Sequence, residues 1–181
     1  MDACLLAGFK AWKNADDQKA LEYMLMADEY PENHGYAHLE YCPRDAQVYY
    51  YIGLAYEKIG NKDKAHDWYV KAATVEVKPK DAVYDYEKGL AMQKIGNDTG
   101  VRKMYREIIR QGKLSVTDYV QRFWESFDRG PYEKDINAAA YYMQGVGHKA
   151  LGHNLRAKRC FRKALKQRND NLWALYYLNE Q

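Results

Sequence analysis

The sequence predicts an all-α fold made of repeated helical hairpins. Apolar, aromatic and sulfur-containing residues make up 47% of the 181 residues, which is enough for a continuous core. The 12 glycines and 4 prolines are too few for a loop-rich β-sandwich or a disordered chain. Small residues also recur at fixed intervals between larger apolar ones, and such self-similarity is typical of helical repeat architectures.

The clearest repeat begins after Pro43. Two antiparallel helices pack closely only where small residues meet at their crossing, and larger residues then fill the groove to the next hairpin. A turn between them favours a residue that tolerates positive φ, followed by a helix cap. The residues in these places are Tyr49, Ile52, Gly53 and Tyr56 in the first helix, Gly60 and Asn61 in the turn, and Ala65, Tyr69 and Ala72 in the second helix.

The same register recurs in three more segments, which gives predicted hairpins at about residues 1–30, 45–77, 81–111 and 137–168. In the third hairpin Val101 and Ile108 stand where the second has alanines, so we expect wider helix spacing there. The small residues predicted to lie at the helix crossings are Gly8, Ala20, Ala27, Gly53, Ala65, Ala72, Gly89, Gly145, Ala157 and Ala164.

An insertion separates the third and fourth hairpins, because Gly89 and Gly145 are about 20 residues further apart than Gly53 and Gly89. Its apolar residues recur at helical spacing, and Ser115 with Asp118 form a capping-box pattern. We therefore expect a separate inserted helix at about 115–128. A terminal helix at about 171–180 should cover the last apolar face, so that residues 1–181 form a single domain.

Together these residues resemble the tetratricopeptide repeat family over nearly the whole chain. The resemblance implies a right-handed superhelix of about four hairpins with a concave face, which acts as a non-catalytic scaffold for proteins or peptides. A narrower resemblance is carried by the segments YPENHG, VYYYIGLAYEKIG and NDNLWA. These look like the C-terminal repeat tail of certain bacterial multidomain proteins, which implies an accessory tail behind a carbohydrate-associated front domain.

The resemblance implies that the first helix of each hairpin lines the concave face. An aromatic and apolar groove there would hold an extended peptide, a helix or the front domain. The alternative is that its tyrosines pack against the next hairpin and against each other. The residues predicted to contact a partner are Phe9, Tyr50, Leu54, Tyr86, Leu90, Tyr142 and Val146.

The sequence offers little for catalysis or metal binding. His34, His38 and Cys42 have four-residue spacing, but closed zinc sites almost always have four ligands, and Pro31 and Gly35 predict a loop. We find no phosphate-binding loop and no Gly-x-Ser-x-Gly elbow. We therefore expect no enzyme, no cofactor and no metal.

Charge is distributed unevenly along the chain. Residues 1–46 carry a net charge of −5 and residues 99–168 a net charge of +10. The predicted helix at 154–168 is basic throughout, which is usually a solvated face; an acidic partner, an acidic hairpin of a second copy or, less expected, a nucleic acid would also suit it. Three distant cysteines suggest no disulfide framework, and with no signal sequence or membrane span we expect a cytoplasmic protein.

Overall fold

The computed structural model describes residues 2–29, 41–123 and 133–179, and within these ranges the side chains except those of 116–123 and 133–134. All regular structure in these ranges is helical, which confirms the predicted all-α fold of helical repeats. The α-helices are α1 (Asp2–Lys13), α2 (Asp17–Met26), α3 (Asp45–Lys58), α4 (Lys62–Thr74), α5 (Asp85–Lys94), α6 (Val101–Phe123), α7 (Glu133–Ala150), α8 (Asn154–Gln167) and α9 (Leu172–Asn179). A short 3₁₀ helix, Pro79–Tyr84, leads into α5.

The chain forms two compact units, Met1–Val101 and Arg102–Gln181. The first unit contains α1 to α5, and the second contains nearly all of α6 together with α7 to α9. The expectation of one domain over residues 1–181, and that of wider helix spacing in the third hairpin, stay predictions.

Local sequence chemistry sets the helix boundaries in the first unit. Asp16 begins α2 by accepting a hydrogen bond from the backbone N–H of Lys19 at 2.9 Å, and Asn61 begins α4 through that of Lys64 at 3.2 Å. Gly60 ends α3 with a φ of +83°, a conformation that costs glycine little and other residues more.

Close helix crossings in both units depend on glycine. A Cβ atom on Gly8 would lie 2.5 Å from Cε of Met24, and one on Gly53 would lie 2.7 Å from Cε1 of Tyr69. In the second unit, a Cβ on Gly145 would lie 2.5 Å from Cε1 of Phe161. All ten small residues that the sequence assigns to helix crossings are buried.

The structure differs from the prediction in α6, which runs without a break from Val101 to Phe123. No separate helix begins at Ser115. Its hydroxyl does not cap a helix but donates to the carbonyl oxygen of Gln111, four residues earlier in α6, at 3.0 Å. Gly112 does not end the helix, since it lies where α7 approaches: a Cβ there would be 2.8 Å from the carbonyl oxygen of Ala140. The remaining part of the predicted inserted helix, 124–128, lies outside the described residues.

Candidate interaction surface

The seven predicted contact residues fall into two groups. Phe9, Tyr50, Tyr86 and Val146 are buried, with Tyr50 only 8% exposed. Leu54, Leu90 and Tyr142 are half-buried. Only the second group therefore offers a partner much surface.

Ring contacts account for the burial of Phe9 and Tyr50. The rings of Phe9 and Tyr51 meet edge to face with 4.7 Å between their centroids, which joins the first hairpin to the second. Tyr50 lies 5.9 Å from Tyr69 across its own hairpin. These contacts agree with the interpretation that the aromatic residues pack between helices. Whether they also contact a partner stays a prediction.

Two half-buried leucines and an ion pair form a surface that we call the first-helix strip: Leu54 and Glu57 on α3, and Leu90 and Lys94 on α5. Residues three or four apart share a helix face, so each leucine lies beside a charged residue of its own helix. Lys94 Nζ contacts both carboxylate oxygens of Glu57 at 2.8 Å. The equivalent positions on α3 and α1 are also in contact: Lys58 Nζ lies 5.4 Å from the ring centroid of Trp12.

Hydrogen bonds fix the carboxylate of Glu57 in its charged form. Contact with Lys94 and then with Tyr69 lowers the pKa of Glu57 below its ordinary value. Burial, and next the hydrogen bond to Glu57, raises the pKa of Tyr69, so its hydroxyl remains a donor. Glu57 thus links α3, α4 and α5, and it presents a fixed charge beside Leu54.

Sequence reasoning missed a buried polar contact between α3 and α5. Gln47 Nε2 donates to Glu87 Oε1 at 2.9 Å, and both residues are at most 3% exposed. A buried carboxylate without hydrogen bonds is costly, so this contact favours one alignment of the two helices. The sequence contained a signal for this contact. Glu87 stands two places before Gly89, at the position that Tyr51 holds relative to Gly53.

In the second unit, Tyr142 lies within an aromatic cluster. Its ring centroid is 6.2 Å from that of Phe161 and 6.4 Å from that of Tyr177 on α9. Tyr177 stacks on Phe161 at 5.5 Å, so α9 contributes to the same apolar cluster as α7 and α8.

A second crossing in this unit was not identified from the sequence. Gly112 on α6 and Gly147 on α7 let the two backbones approach: a Cβ on Gly147 would lie 3.0 Å from the carbonyl oxygen of Tyr105. Gln144 Nε2 donates to the carbonyl oxygen of Gly112 at 3.2 Å and secures the contact. Gly112 lies outside the repeat register, so no periodic pattern pointed to it. Gly147 stands two places after Gly145, where Ala55 and Ala91 follow Gly53 and Gly89.

His148 on α7 occupies the place that Tyr56 holds on α3, and it is half-buried. Its Nδ1 has no hydrogen-bond partner among the described residues, and its ring lies 5.7 Å from that of His153. Burial lowers the pKa of His148, and the charges of His153, Arg156 and Lys113 lower it further. This end of the unit is therefore electropositive.

No group of three potential metal ligands occurs in the described part of the chain. His34 and His38 lie outside it, whereas Cys42 is half-buried near the start of α3. None of the helices at 2–29, 41–123 and 133–179 combines the length and hydropathy that a membrane span needs.

Comparison with known proteins agrees with the geometry of two of the hairpins. None of the curated proteins compared with the chain matches it. Residues 46–76, which include α4 and most of α3, match the family model of the tetratricopeptide repeat, as do residues 138–171, which include α8 and most of α7. The chain thus matches the repeat model at two places, one in each unit.

Proposed function

We propose that this chain is a non-catalytic protein-interaction module that holds a peptide, a helix or a neighbouring domain against the first helices of its hairpins. Tetratricopeptide repeats generally mediate contacts between proteins. The observation that carries the proposal is the first-helix strip, where half-buried Leu54 and Leu90 accompany the Glu57–Lys94 pair. Apolar side chains beside fixed charges give a partner both buried area and a defined orientation.

The test selects peptides from a random library displayed on phage and compares their binding to variants. Leu54→Glu/Leu90→Glu places charge on the strip, and we expect it to weaken the selected peptides by roughly tenfold or more. Val70→Glu is the matched control, because Val70 is exposed on α4, a second helix. Equal binding to all three proteins would contradict the proposal, provided that circular dichroism shows unchanged helix content.

The expectation of an accessory role in a larger carbohydrate-associated protein stays a prediction. A reading frame that encodes a front domain upstream of residue 1 would support it.

A further inference from the structure

The exposed face of α8 is cationic along its whole length. Ala157, Phe161 and Ala164 are buried on the opposite side of the helix. At 100° per residue, the exposed cations lie within an arc of about 120°. These exposed residues are Arg156, Arg159, Arg162, Lys163 and Lys166.

Ion pairs with the described carboxylates do not account for these charges. None of the five forms an ion pair with a carboxylate that the structure describes, whereas Lys94, Arg110 and Arg168 elsewhere do. Lys163 lies over the ring of Tyr141 with its Nζ 5.3 Å from the centroid. Because α8 contains no acidic residue, its cations are not neutralised along the helix either.

This arrangement of charges destabilises α8. Like charges three or four residues apart repel, as Arg159 does Arg162 and Lys163. A helix N-terminus favours negative charge, but the first turn of α8 has no acid and includes Arg156. His153, at the N-cap, makes no side-chain capping hydrogen bond. A negatively charged partner would relieve each of these costs.

The side chains within the arc discriminate between classes of polyanion. Leu155 lies among the cations and is 76% exposed. A single leucine is too little for insertion into a bilayer, since the larger apolar face of α8 is already buried. The α8 arc also has no aromatic side chain on which a nucleic acid base could stack. An exposed apolar residue ringed by cations suits an acidic protein segment with an apolar anchor.

We propose that the exposed face of α8 binds an acidic protein segment whose apolar side chain packs on Leu155. The cations Arg156, Arg159, Arg162 and Lys166 orient the segment, and Leu155 supplies apolar contact. This surface belongs to the second helix of its hairpin, so the proposal for it does not depend on the first-helix strip.

The test uses a fluorescein-labelled helical peptide with glutamates along one face and a leucine among them. We expect Arg159→Glu/Arg162→Glu to reduce its affinity at least about tenfold, because reversed charges now repel it. Arg102→Glu/Arg106→Glu on α6 is the matched control: it makes the same change in net charge at exposed sites and should alter affinity less than about threefold. Leu155→Ala should weaken only the leucine-containing peptide.

Three results would overturn the proposal. One is no binding of the acidic peptide by the intact protein, and another is equal loss in both charge-reversed variants. The third is tighter binding of duplex DNA or of phosphatidylglycerol vesicles than of the peptide. Arg159→Lys/Arg162→Lys keeps the charge and should retain peptide binding. Retained binding shows that substitution at these two positions does not by itself abolish binding through misfolding.

Discussion

The hairpins α3–α4 and α7–α8 share one register but differ in the polar end of their crossing. In both, a glycine of the first helix faces an aromatic ring of the second, Tyr69 in one and Phe161 in the other. Tyr69 donates its hydroxyl hydrogen bond to Glu57, four residues after Gly53. Four residues after Gly145 stands Lys149, whose ammonium group can donate a hydrogen bond but cannot accept one. The repeat thus determines the shape at the crossing, and the neighbouring residue determines whether a hydroxyl is tolerated there.

The outward faces of the second helices differ more than their cores. α4 begins with an Asn61 cap and Asp63, and its exposed residues carry both signs of charge. α8 lacks both features and exposes only cations among its charged residues. Because the repeat register constrains only buried positions, each second helix can present a different surface while its packing is kept.

Removing either aromatic ring should have the largest effect. Phe161→Ala and Tyr69→Ala each delete a ring that fills a glycine crossing, so we expect each to cost about 3–5 kcal/mol of unfolding free energy. Hydrogen exchange of α7–α8 and α3–α4 amides reports the two units separately. Leu155→Ala, at an exposed site, should stay within about 0.5 kcal/mol. A cost below about 1 kcal/mol for Phe161→Ala would mean that its ring does not support the crossing.

Exchanging the two aromatic residues should have a smaller effect and sharpen the comparison. Tyr69→Phe loses a hydrogen bond to a carboxylate whose side chain is 41% exposed, so we expect a cost of only about 1 kcal/mol. Phe161→Tyr adds a buried hydroxyl in a hairpin where Lys149 replaces the acceptor Glu57, and it should cost about 1–3 kcal/mol. Adding Lys149→Glu recreates the pair of the other hairpin and should recover part of that loss. A double-mutant cycle measured by urea unfolding tests this, and additive costs would contradict it.

The glycine crossings could be predicted because their determinants lie close together in sequence. Gly53, Ala65 and Tyr69 belong to one hairpin, and the spacing of small residues repeats elsewhere. Exposure at the groove positions could not be predicted in the same way. Tyr50 and Leu54 are both first-helix groove residues, but one is buried and the other half-buried because their burial depends on adjacent helices. Periodicity specifies the face of a residue, not how deeply its neighbours cover it.

Contacts outside the register could not be read from the pattern. Gly112 in a helical segment has no feature that marks α7 as its neighbour, and Ser115 is compatible with either a cap or a helix interior. The register places Glu87 at the position of Tyr51, but it does not name Gln47 on α3 as its partner. These features depend on which helices meet, and that information is distributed over the whole chain.

The smallest predicted effect concerns position 148, where the fourth hairpin has histidine and the second has Tyr56. The pKa of His148 is lowered in the folded chain, so the unfolded chain takes up the proton more readily as pH falls below about 6.5. The second unit should therefore lose stability on acidification from about pH 7.5 to about pH 5, and His148→Tyr should lose less. Urea unfolding followed by circular dichroism at both pH values measures the difference. His66→Tyr, at an exposed site on α4, is the control. An unchanged acid response in His148→Tyr would assign the pH dependence to other groups.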